Sequence, residues 1–281
     1  MAGDSQGVLY VVGTPLGNLE DLSDRARQTL ARVDLVAAED TRRTRGLLSS
    51  IGLSRPLIAY HEHNESHQTQ RLIAELERGK LIALVSDAGT PLISDPGLRL
   101  VSGCLAAGIR VECVPGPSAL VAALSICGIA AERFTFEGFL PRRTAARREH
   151  LEALRREPRT MVFYEAVHRV KPMVTDLIAV FGPDRQAALA RELTKLHESL
   201  DVATLAEIGA RLGESIPLKG EFVLVVAGAP EASGSSDEVE AQRIFQLLHT
   251  ELPATTAAKL TAKITGISRN DVYRLTRMEK D

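Results

Sequence analysis

The apolar residues of the chain are grouped in short continuous runs, which are separated by longer amphipathic stretches. Continuous runs are typical of strands that are buried on both faces. In the first half of the chain they predict strands at residues 8–12, 35–38, 57–60, 81–85 and 111–114. Between these runs, helical periodicity predicts helices at residues 24–32, 68–78 and 96–107. Strands and helices that alternate at this spacing predict a mostly parallel α/β sheet.

A second series of apolar runs follows in the middle of the chain. It predicts strands at residues 134–136, 160–164, 187–193 and 222–227. Some connections in this series are short, which favours antiparallel neighbours. The predicted fold class is therefore α/β throughout, with an N-terminal domain over residues 1–129 and a second α/β domain over residues 130–229.

The composition changes after Gly228. Residues 230–238 are small and polar and are predicted to form a linker. Residues 239–281 are predicted to form a helical tail. In this tail, residues 265–268 (Thr-Gly-Ile-Ser) place a glycine turn and a serine N-cap between two helical segments. That order is typical of a helix-turn-helix.

Charge and aromatic content limit the classes of partner. The 281 residues include 34 basic and 36 acidic side chains, so a uniformly basic nucleic-acid coat is excluded. Residues 138–160 and 255–281 are nevertheless locally basic, and could contact phosphates or form solvated helix faces. Because aromatic residues make up only 4% of the chain, a stacking platform for single-stranded bases is disfavoured.

Three features bear on the cellular compartment. Cys104, Cys113 and Cys127 follow no spacing typical of a disulfide framework or a zinc site, which favours buried thiols in a reducing compartment. The first residues show neither the basic nor the apolar segment of a signal peptide. The longest apolar stretch, residues 120–131, is too short to span a bilayer. We expect a cytoplasmic protein.

The loops that follow the predicted strands are candidates for a binding site, because ligands of open α/β sheets bind at the carboxyl ends of strands. These loops, rich in Gly, Pro, Ser and Thr, are residues 13–18, 86–97 and 115–119, with residues 164–169 in the second half. Glycine lets the backbone approach a ligand, and Ser118 is predicted to cap the helix that follows it. Alternatively, Gly and Pro here only form the turns.

Two polar clusters offer groups for catalysis. Residues 39–43 (Glu-Asp-Thr-Arg-Arg) could bind a phosphate and position a hydroxyl, or could simply be the exposed start of a helix. Residues 61–67 (His-Glu-His-Asn-Glu-Ser-His) contain an H-x-H spacing that can hold a metal. Since no second cluster of ligands follows, we favour a polar loop that places a His or Glu at a substrate hydroxyl.

Several of these segments, in this order, resemble a known group of enzymes. The matching motifs lie at residues 11–19, 38–42, 61–65, 86–91, 114–119, 190–195 and 219–223. They are similar to the bacterial methyltransferases that act on a cytidine 2′-hydroxyl of 16S ribosomal RNA, in the tetrapyrrole-methylase superfamily. The resemblance runs from about residue 8 to residue 228 and continues into the tail.

The resemblance implies S-adenosylmethionine bound in a cleft between two α/β domains, a homodimer, and a 16S rRNA substrate within the small ribosomal subunit. The residues implied to line the cofactor are Pro15, Ala88, Gly89, Thr90, Ile93, Ser118 and Ala119 and, from the second domain, Tyr164 and Ala203. Superfamily members usually carry Gly-Gly-Asp-Pro where this chain has Ala-Gly-Thr-Pro at residues 88–91. Backbone contacts are therefore expected to matter more there than an acidic side chain.

Methyl transfer to a ribose hydroxyl requires in-line alignment and a group that accepts the hydroxyl proton. The candidate proton acceptors are Glu39, Asp40, His63 and Glu65, and Arg42 is the candidate for holding a phosphate. No metal is expected. Two alternatives remain open. The first is methylation of a tetrapyrrole carbon, which would need no basic helix-turn-helix. The second is a non-enzymatic RNA-binding protein, which would not bind S-adenosylmethionine.

Overall fold

The computed structural model describes residues 7–230 and 235–277. The chain divides into two compact units. Within the described residues, the larger unit contains two five-stranded sheets with their helices. The smaller unit contains the helices that follow Gly228.

The first sheet is parallel throughout. Its strands β1–β5 are Val8–Val12, Leu35–Ala38, Leu57–Ala59, Leu81–Val85 and Arg110–Val114, in the spatial order β3-β2-β4-β1-β5. Alternate side chains of β1 enter different cores: Tyr10 packs in one layer and Leu9 in the other. Burial on both faces explains why β1, β2 and β4 are continuous apolar runs, and the predicted ends of all five strands are correct to within one residue.

Helices cover both faces of this sheet. Helices α1–α5 are Asp24–Arg32, Thr41–Ser50, Glu65–Glu77, Leu98–Ala106 and Ala119–Ile126. The predicted bounds of α1 are correct, whereas α3 begins at Glu65, three residues earlier than predicted. The second half of the histidine-rich segment is therefore helical rather than a loop. The segment after Asp40 is the start of helix α2. This agrees with the interpretation of residues 39–43 as the exposed start of a helix.

The second sheet is mostly antiparallel. Strands β6–β10 are Phe134–Phe139, Thr160–Ala166, Gln186–Arg191, Ser199–Thr204 and Glu221–Val226, in the order β6-β7-β10-β8-β9. Only β6 and β7 pair in parallel among these described strands. The sequence did not predict β9, because this edge strand mixes polar with apolar residues. Helices α6–α8 are Thr144–Ala153, Val170–Phe181 and Leu205–Arg211.

The smaller unit contains α9 (Ser235–His249), α10 (Ala254–Thr265) and α11 (Arg269–Arg277) among its described residues. Phe245, Ala258 and Val272 form the centre of its core. Gly266 ends α10 with φ +76°, and the Ser268 hydroxyl accepts a hydrogen bond from Asp271 N at 3.2 Å. This is the helix-turn-helix that the sequence predicted.

The start of α9 differs from the prediction, because it lies inside the segment expected to be a linker. Serine followed by acidic residues is favourable at a helix N-terminus, so a polar composition did not distinguish linker from helix start. Residues 231–234 of the expected linker lie outside the described residues, as do residues 278–281 of the tail.

Two further expectations concern the cysteines and the membrane. Cys104 and Cys127 are buried, but Cys113 is exposed, so the expectation of three buried thiols is wrong for Cys113. The reason is that Cys113 lies on β5, an edge strand of the first sheet. Among the described residues, no helix is both long enough and apolar enough to cross a membrane.

Candidate active site

The loops after β1, β4 and β5 meet at the carboxyl edge of the first sheet, where hydrogen bonds join them. Thr14 N donates to Gly89 O at 2.8 Å, and Gly89 N donates to Thr14 O at 3.0 Å. The Thr90 hydroxyl donates to Pro117 O at 3.0 Å. The three glycine-containing loops that the sequence singled out therefore form one continuous surface.

Two glycines allow this close approach. A Cβ atom on Gly13 would lie 2.7 Å from the Cα atom of Gly116, and one on Gly116 would lie 2.9 Å from the Cα atom of Gly13. Both distances are shorter than a carbon–carbon contact permits, and backbone atoms cannot swing away as a side chain could. These glycines are therefore needed for the packing of one loop against the other.

A cavity of about 320 Å³ lies between this loop surface and the second sheet; we call it the loop cavity. Seven of the nine residues that were predicted to line the cofactor line this cavity. They are Ala88, Gly89, Thr90, Ile93, Ser118, Ala119 and Tyr164. Pro15 does not line it, although its neighbour Leu16 does.

Ala203 does not line the loop cavity. It is on β9 and packs in the core that contains Phe222 and Leu224. Tyr164 and Val223, which line the cavity, belong to the core on the opposite face of the sheet. Phe222, from the same core as Ala203, also lines the loop cavity, so the face of the sheet does not decide the matter; Ala203 is simply not among the described residues that line the cavity.

Tyr164 joins the second sheet to a helix of the first half. Its hydroxyl accepts a hydrogen bond from Leu120 N, in the first turn of α5, at 2.8 Å. Ser118 occupies the N-cap position but makes no capping hydrogen bond, so the predicted cap is wrong. The nearby Tyr164 hydroxyl takes that place. Burial raises the pKa of Tyr164, which keeps the hydroxyl neutral.

Three carboxyl groups from two loops line the loop cavity: Glu39 after β2, and Asp87 and Asp95 in the loop after β4. Asp87 N donates to Glu39 Oε2 at 3.3 Å. Burial raises the pKa of Glu39, and the charge of Asp87 adds to this rise. For Asp95, burial and then repulsion by Glu39 raise the pKa to about 7, against an opposing hydrogen bond with Ser86. Such a carboxyl group can hold and release a proton near neutral pH.

A second cavity, of about 510 Å³, adjoins the first; we call it the histidine cavity. Glu39, Ser94 and Asp95 line both cavities. The histidine cavity is lined further by His61 and His63. Asp95 therefore lies where a molecule in one cavity would meet a molecule in the other.

The family follows from comparison with known proteins. The family model described as Tetrapyrrole (Corrin/Porphyrin) Methylases matches residues 8–209. The chain belongs to this methylase family. A second model, described as the RsmI C-terminal HTH domain, matches residues 235–276 of the methylase, which contain α9, α10 and all but the last residue of α11.

Curated relatives resemble this methylase over nearly its whole length. Ribosomal RNA small subunit methyltransferase I of Xylella fastidiosa (strain Temecula1) is 52% identical over 95% of this chain and 98% of its own. The protein of the same name from Escherichia coli O157:H7 is 47% identical over 97% of this chain and 96% of its own. Both similarities extend through the helical tail.

Solved structures share the methylase fold. Uroporphyrin-III C-methyltransferase of Thermus thermophilus, solved in complex with S-adenyl homocysteine, superimposes with a TM-score of 0.57 at 19% identity. The match covers 79% of this methylase and 97% of that chain. At this identity, the likeness concerns the fold alone.

The structure places only some of the predicted catalytic residues of the methylase at a cavity. Glu39, His63 and Glu65 line the histidine cavity, and Glu39 also lines the loop cavity. Glu65 is held in place, since it accepts a hydrogen bond from Gly97 N at 3.0 Å.

Asp40 and Arg42 bind each other and line neither cavity. Asp40 caps α2 by accepting from Arg42 N at 2.8 Å, and its carboxylate lies 3.2 Å from the guanidinium of Arg42. The hydrogen bond from the Arg42 side chain lowers the pKa of Asp40. Asp40 is therefore a poor proton acceptor, and the side chain of Arg42 is 86% exposed.

Sequence reasoning missed Asp95, although it identified the loop that contains it. No spacing along the chain connects Asp95 with Glu39, and only the fold brings them together. The backbone gives a further indication: Leu92 and Ser94, which are not glycines, have φ angles of +73° and +67°. Such conformations are costly for these residue types and are common at functional sites.

The histidine-rich segment does not form a metal site in the part of the chain that the structure describes. No group of three or more His, Cys, Asp or Glu side chains is arranged there to hold an ion. The ring centroids of His61 and His63 are 6.0 Å apart in an edge-on contact.

Proposed function

We propose that this methylase transfers a methyl group from S-adenosylmethionine to the 2′-hydroxyl of a cytidine in 16S rRNA, on the small ribosomal subunit. The observation that carries the proposal is the near-full-length similarity, tail included, to relatives named ribosomal RNA small subunit methyltransferase I. The tail argues against the tetrapyrrole alternative, because a small macrocycle requires no helix-turn-helix. The methylase family argues against a non-enzymatic RNA-binding protein.

The loop cavity fits S-adenosylmethionine in size and charge. Its volume of about 320 Å³ is within the range of small-molecule sites. Asp95, Glu165 and Glu221 are among the carboxyl groups that line it, and they favour a ligand with a positive sulfonium and a positive amino group. Leu16 and Val223 offer apolar surface for an adenine ring. Bound there, the cofactor supplies an activated methyl group on a cationic sulfur.

The protein's main tasks are alignment and proton removal. We assign the proton-accepting role to Asp95, because it faces both cavities and its pKa is about 7. The histidine cavity takes the ribose, with the 2′-hydroxyl toward Asp95. Glu39 assists because its negative charge repels that of Asp95, and this repulsion increases the affinity of Asp95 for the proton. The ionised Asp95 accepts the proton of the 2′-hydroxyl; the bound cofactor would supply the methyl group, its methyl–sulfur bond would break, and it would leave as S-adenosylhomocysteine.

The experiment that tests this proposal uses the full chain and 30S subunits from a bacterial strain that lacks the corresponding gene. We expect a methyl group from S-adenosylmethionine to appear as 2′-O-methylcytidine when the rRNA nucleosides are analysed by mass spectrometry. Methylation of a tetrapyrrole but not of 30S subunits would favour the first alternative. Calorimetry without detectable S-adenosylmethionine binding would favour the second.

We further expect a homodimer that acts in the cytoplasm, as the sequence resemblance implies. Light scattering of the purified protein should give twice the mass of one chain, and cell fractionation should recover the protein with the ribosomes. A monomeric mass at micromolar concentration would contradict the expected dimer without affecting the proposed reaction.

A further inference from the structure

A third cavity, of about 820 Å³, lies at the second sheet beside the loop cavity, with which it shares Phe139 and Ala166; we call it the arginine cavity. Arg142, Arg147 and Arg169 line it. Among the described residues that line it there is no carboxyl group. This contrasts with the loop cavity, where carboxyl groups predominate.

Two of the three arginines are held in fixed positions. The Arg147 side chain is only 5% exposed, and its Nε donates to Asp176 Oδ2 at 2.7 Å. Arg169 donates to the carbonyl oxygen of Leu140 at 2.5 Å and lies 3.2 Å from the buried carboxylate of Glu165, with which it forms an ion pair. A guanidinium that is already ordered loses little conformational entropy when it binds a ligand, so this wall of the cavity is preorganised.

The third arginine is available for a ligand. Arg142 is exposed, and its side chain has no hydrogen bond or ion pair within the described part of the chain. Helices α6 and α7 begin at this cavity, with Thr144 and Pro172 in its lining, and neither has a side-chain cap. The positive end of the helix dipole at each of these two N-termini adds to the attraction for an anion.

We propose that the arginine cavity binds a phosphodiester group of the RNA, next to the nucleotide whose ribose is methylated. This inference rests on the proposed function and specifies how that substrate is held. Planar guanidiniums and helix N-termini both suit phosphate oxygens. The shared wall places the phosphate beside the reaction site. Because aromatic residues are scarce, phosphate contacts must supply much of the affinity.

Arg142→Gln tests the inference, with Arg78→Gln as the matched control. Arg78 is also an exposed arginine, paired with Glu75 at the end of α3, and lies toward the opposite edge of the first sheet. We expect Arg142→Gln to weaken binding to 30S subunits about fivefold, and to raise KM for 30S subunits similarly. The slope of log Kd against log salt concentration should become shallower by about one. Arg78→Gln should change neither quantity.

The test separates this inference from the proposed function. The proposed function is tested by measuring methyl transfer and S-adenosylmethionine binding with the unmodified protein. The phosphate site is tested by measuring the affinity of Arg142→Gln for 30S subunits. If Arg142→Gln matches Arg78→Gln in both affinity and salt slope, the phosphate site is wrong even when methylation is observed. Arg142→Glu, which reverses the charge at an exposed position, should weaken 30S binding more than Arg142→Gln. An equal affinity in these two variants would also contradict the inference.

Discussion

Asp95 owes its chemistry to residues that are distant in the sequence. Its carboxyl group is half-buried, lies near Glu39, and has a pKa of about 7. An ordinary aspartate on the surface would be ionised at neutral pH, but it would be a much weaker base. A proton acceptor works best when its pKa is near the working pH, which is the condition met here.

Replacing Asp95 by asparagine should therefore remove the proton acceptor at nearly constant size. We expect kcat for methylation of 30S subunits to fall by about 10²–10⁴-fold at saturating cofactor. In the unmodified protein, kcat should increase with pH and level off above about 7. Asp184→Asn, in the exposed turn before β8, is the control and should have no effect. If kcat in Asp95→Asn is within twofold of normal, Asp95 is not the acceptor.

The same substitution should change the pH dependence of stability. The folded-state pKa of Asp95 is raised from 3.8 to about 7, so the folded protein binds this proton more tightly than the unfolded chain. The contribution of Asp95 to the free energy of unfolding is then largest below pH 4 and is lost as pH increases to about 7. Asp95→Asn should gain stability relative to the unmodified protein between pH 5 and pH 8 in urea unfolding. If the difference in free energy of unfolding between Asp95→Asn and the unmodified protein is the same at pH 5 and at pH 8, the raised pKa of Asp95 is contradicted.

Tyr164 offers a second test at the scale of one residue. Tyr164→Phe leaves Leu120 N without its acceptor, which should reduce the free energy of unfolding by about 1–2 kcal/mol. Because α5 begins at the loop cavity, Kd for S-adenosylmethionine should increase about fivefold, which corresponds to about 1 kcal/mol. Calorimetry and urea unfolding measure both quantities. Tyr10→Phe is the control, since no described residue hydrogen-bonds to its hydroxyl; if it has the same effect, the cap is unimportant.

At the scale of elements, the loops after β1, β4 and β5 act as one unit. Each was recognisable from the sequence, because Gly and Pro interrupt a regular pattern of strands and helices. Their mutual hydrogen bonds were not recognisable, because they depend on the spatial order of the strands. That order places β1 between β4 and β5, so that the first loop contacts both of the others.

Gly13→Ala tests the contact between loops. The added methyl group would lie 2.7 Å from backbone atoms of Gly116, so the loops must separate. We expect a loss of about 1–3 kcal/mol in the free energy of unfolding, and at least a tenfold increase in Kd for S-adenosylmethionine. Gly46→Ala is the matched control, because Gly46 lies within α2 with open space around it. This control should stabilise the protein slightly. Normal cofactor affinity in Gly13→Ala would contradict the proposed site.

At the scale of the whole molecule, the chain divides into two compact units. The residues that line the loop cavity all belong to the larger unit, whereas the helical tail has its own small core. Residues 255–281 carry a locally basic composition, although the net charge of the chain is −2. We therefore expect the tail to contribute to binding of rRNA or of a second subunit, and not to binding of the cofactor.

A variant that lacks residues 233–281 separates these roles. Kd for S-adenosylmethionine should remain within twofold of normal, while affinity for 30S subunits should fall at least tenfold because basic residues are lost. Light scattering on the same variant shows whether the dimer persists. If the truncated variant is a monomer, the tail is needed for assembly of the dimer. If 30S affinity and oligomeric state are both unchanged, the tail has neither role.

The sequence by itself determined most of the fold. The first five strands, the antiparallel character of the second sheet and the helix-turn-helix all follow from local patterns of burial, turn residues and caps. Local patterns failed where a segment is stabilised by its neighbours. β9 is an edge strand with few apolar residues, and α3 begins within a polar segment where Glu65 binds Gly97 N.

The tertiary structure decided the geometry of the candidate active site. Sequence motifs indicated the loops, but Asp95 gains a raised pKa only because folding buries it and brings Glu39 close. Asp40, next to Glu39 in sequence, is instead bound by Arg42 as a helix cap. The arginine cavity likewise combines Arg142 with Arg169 across two helix starts. Burial and charge proximity depend on distances through space, and an amino-acid sequence specifies those distances only once the chain has folded.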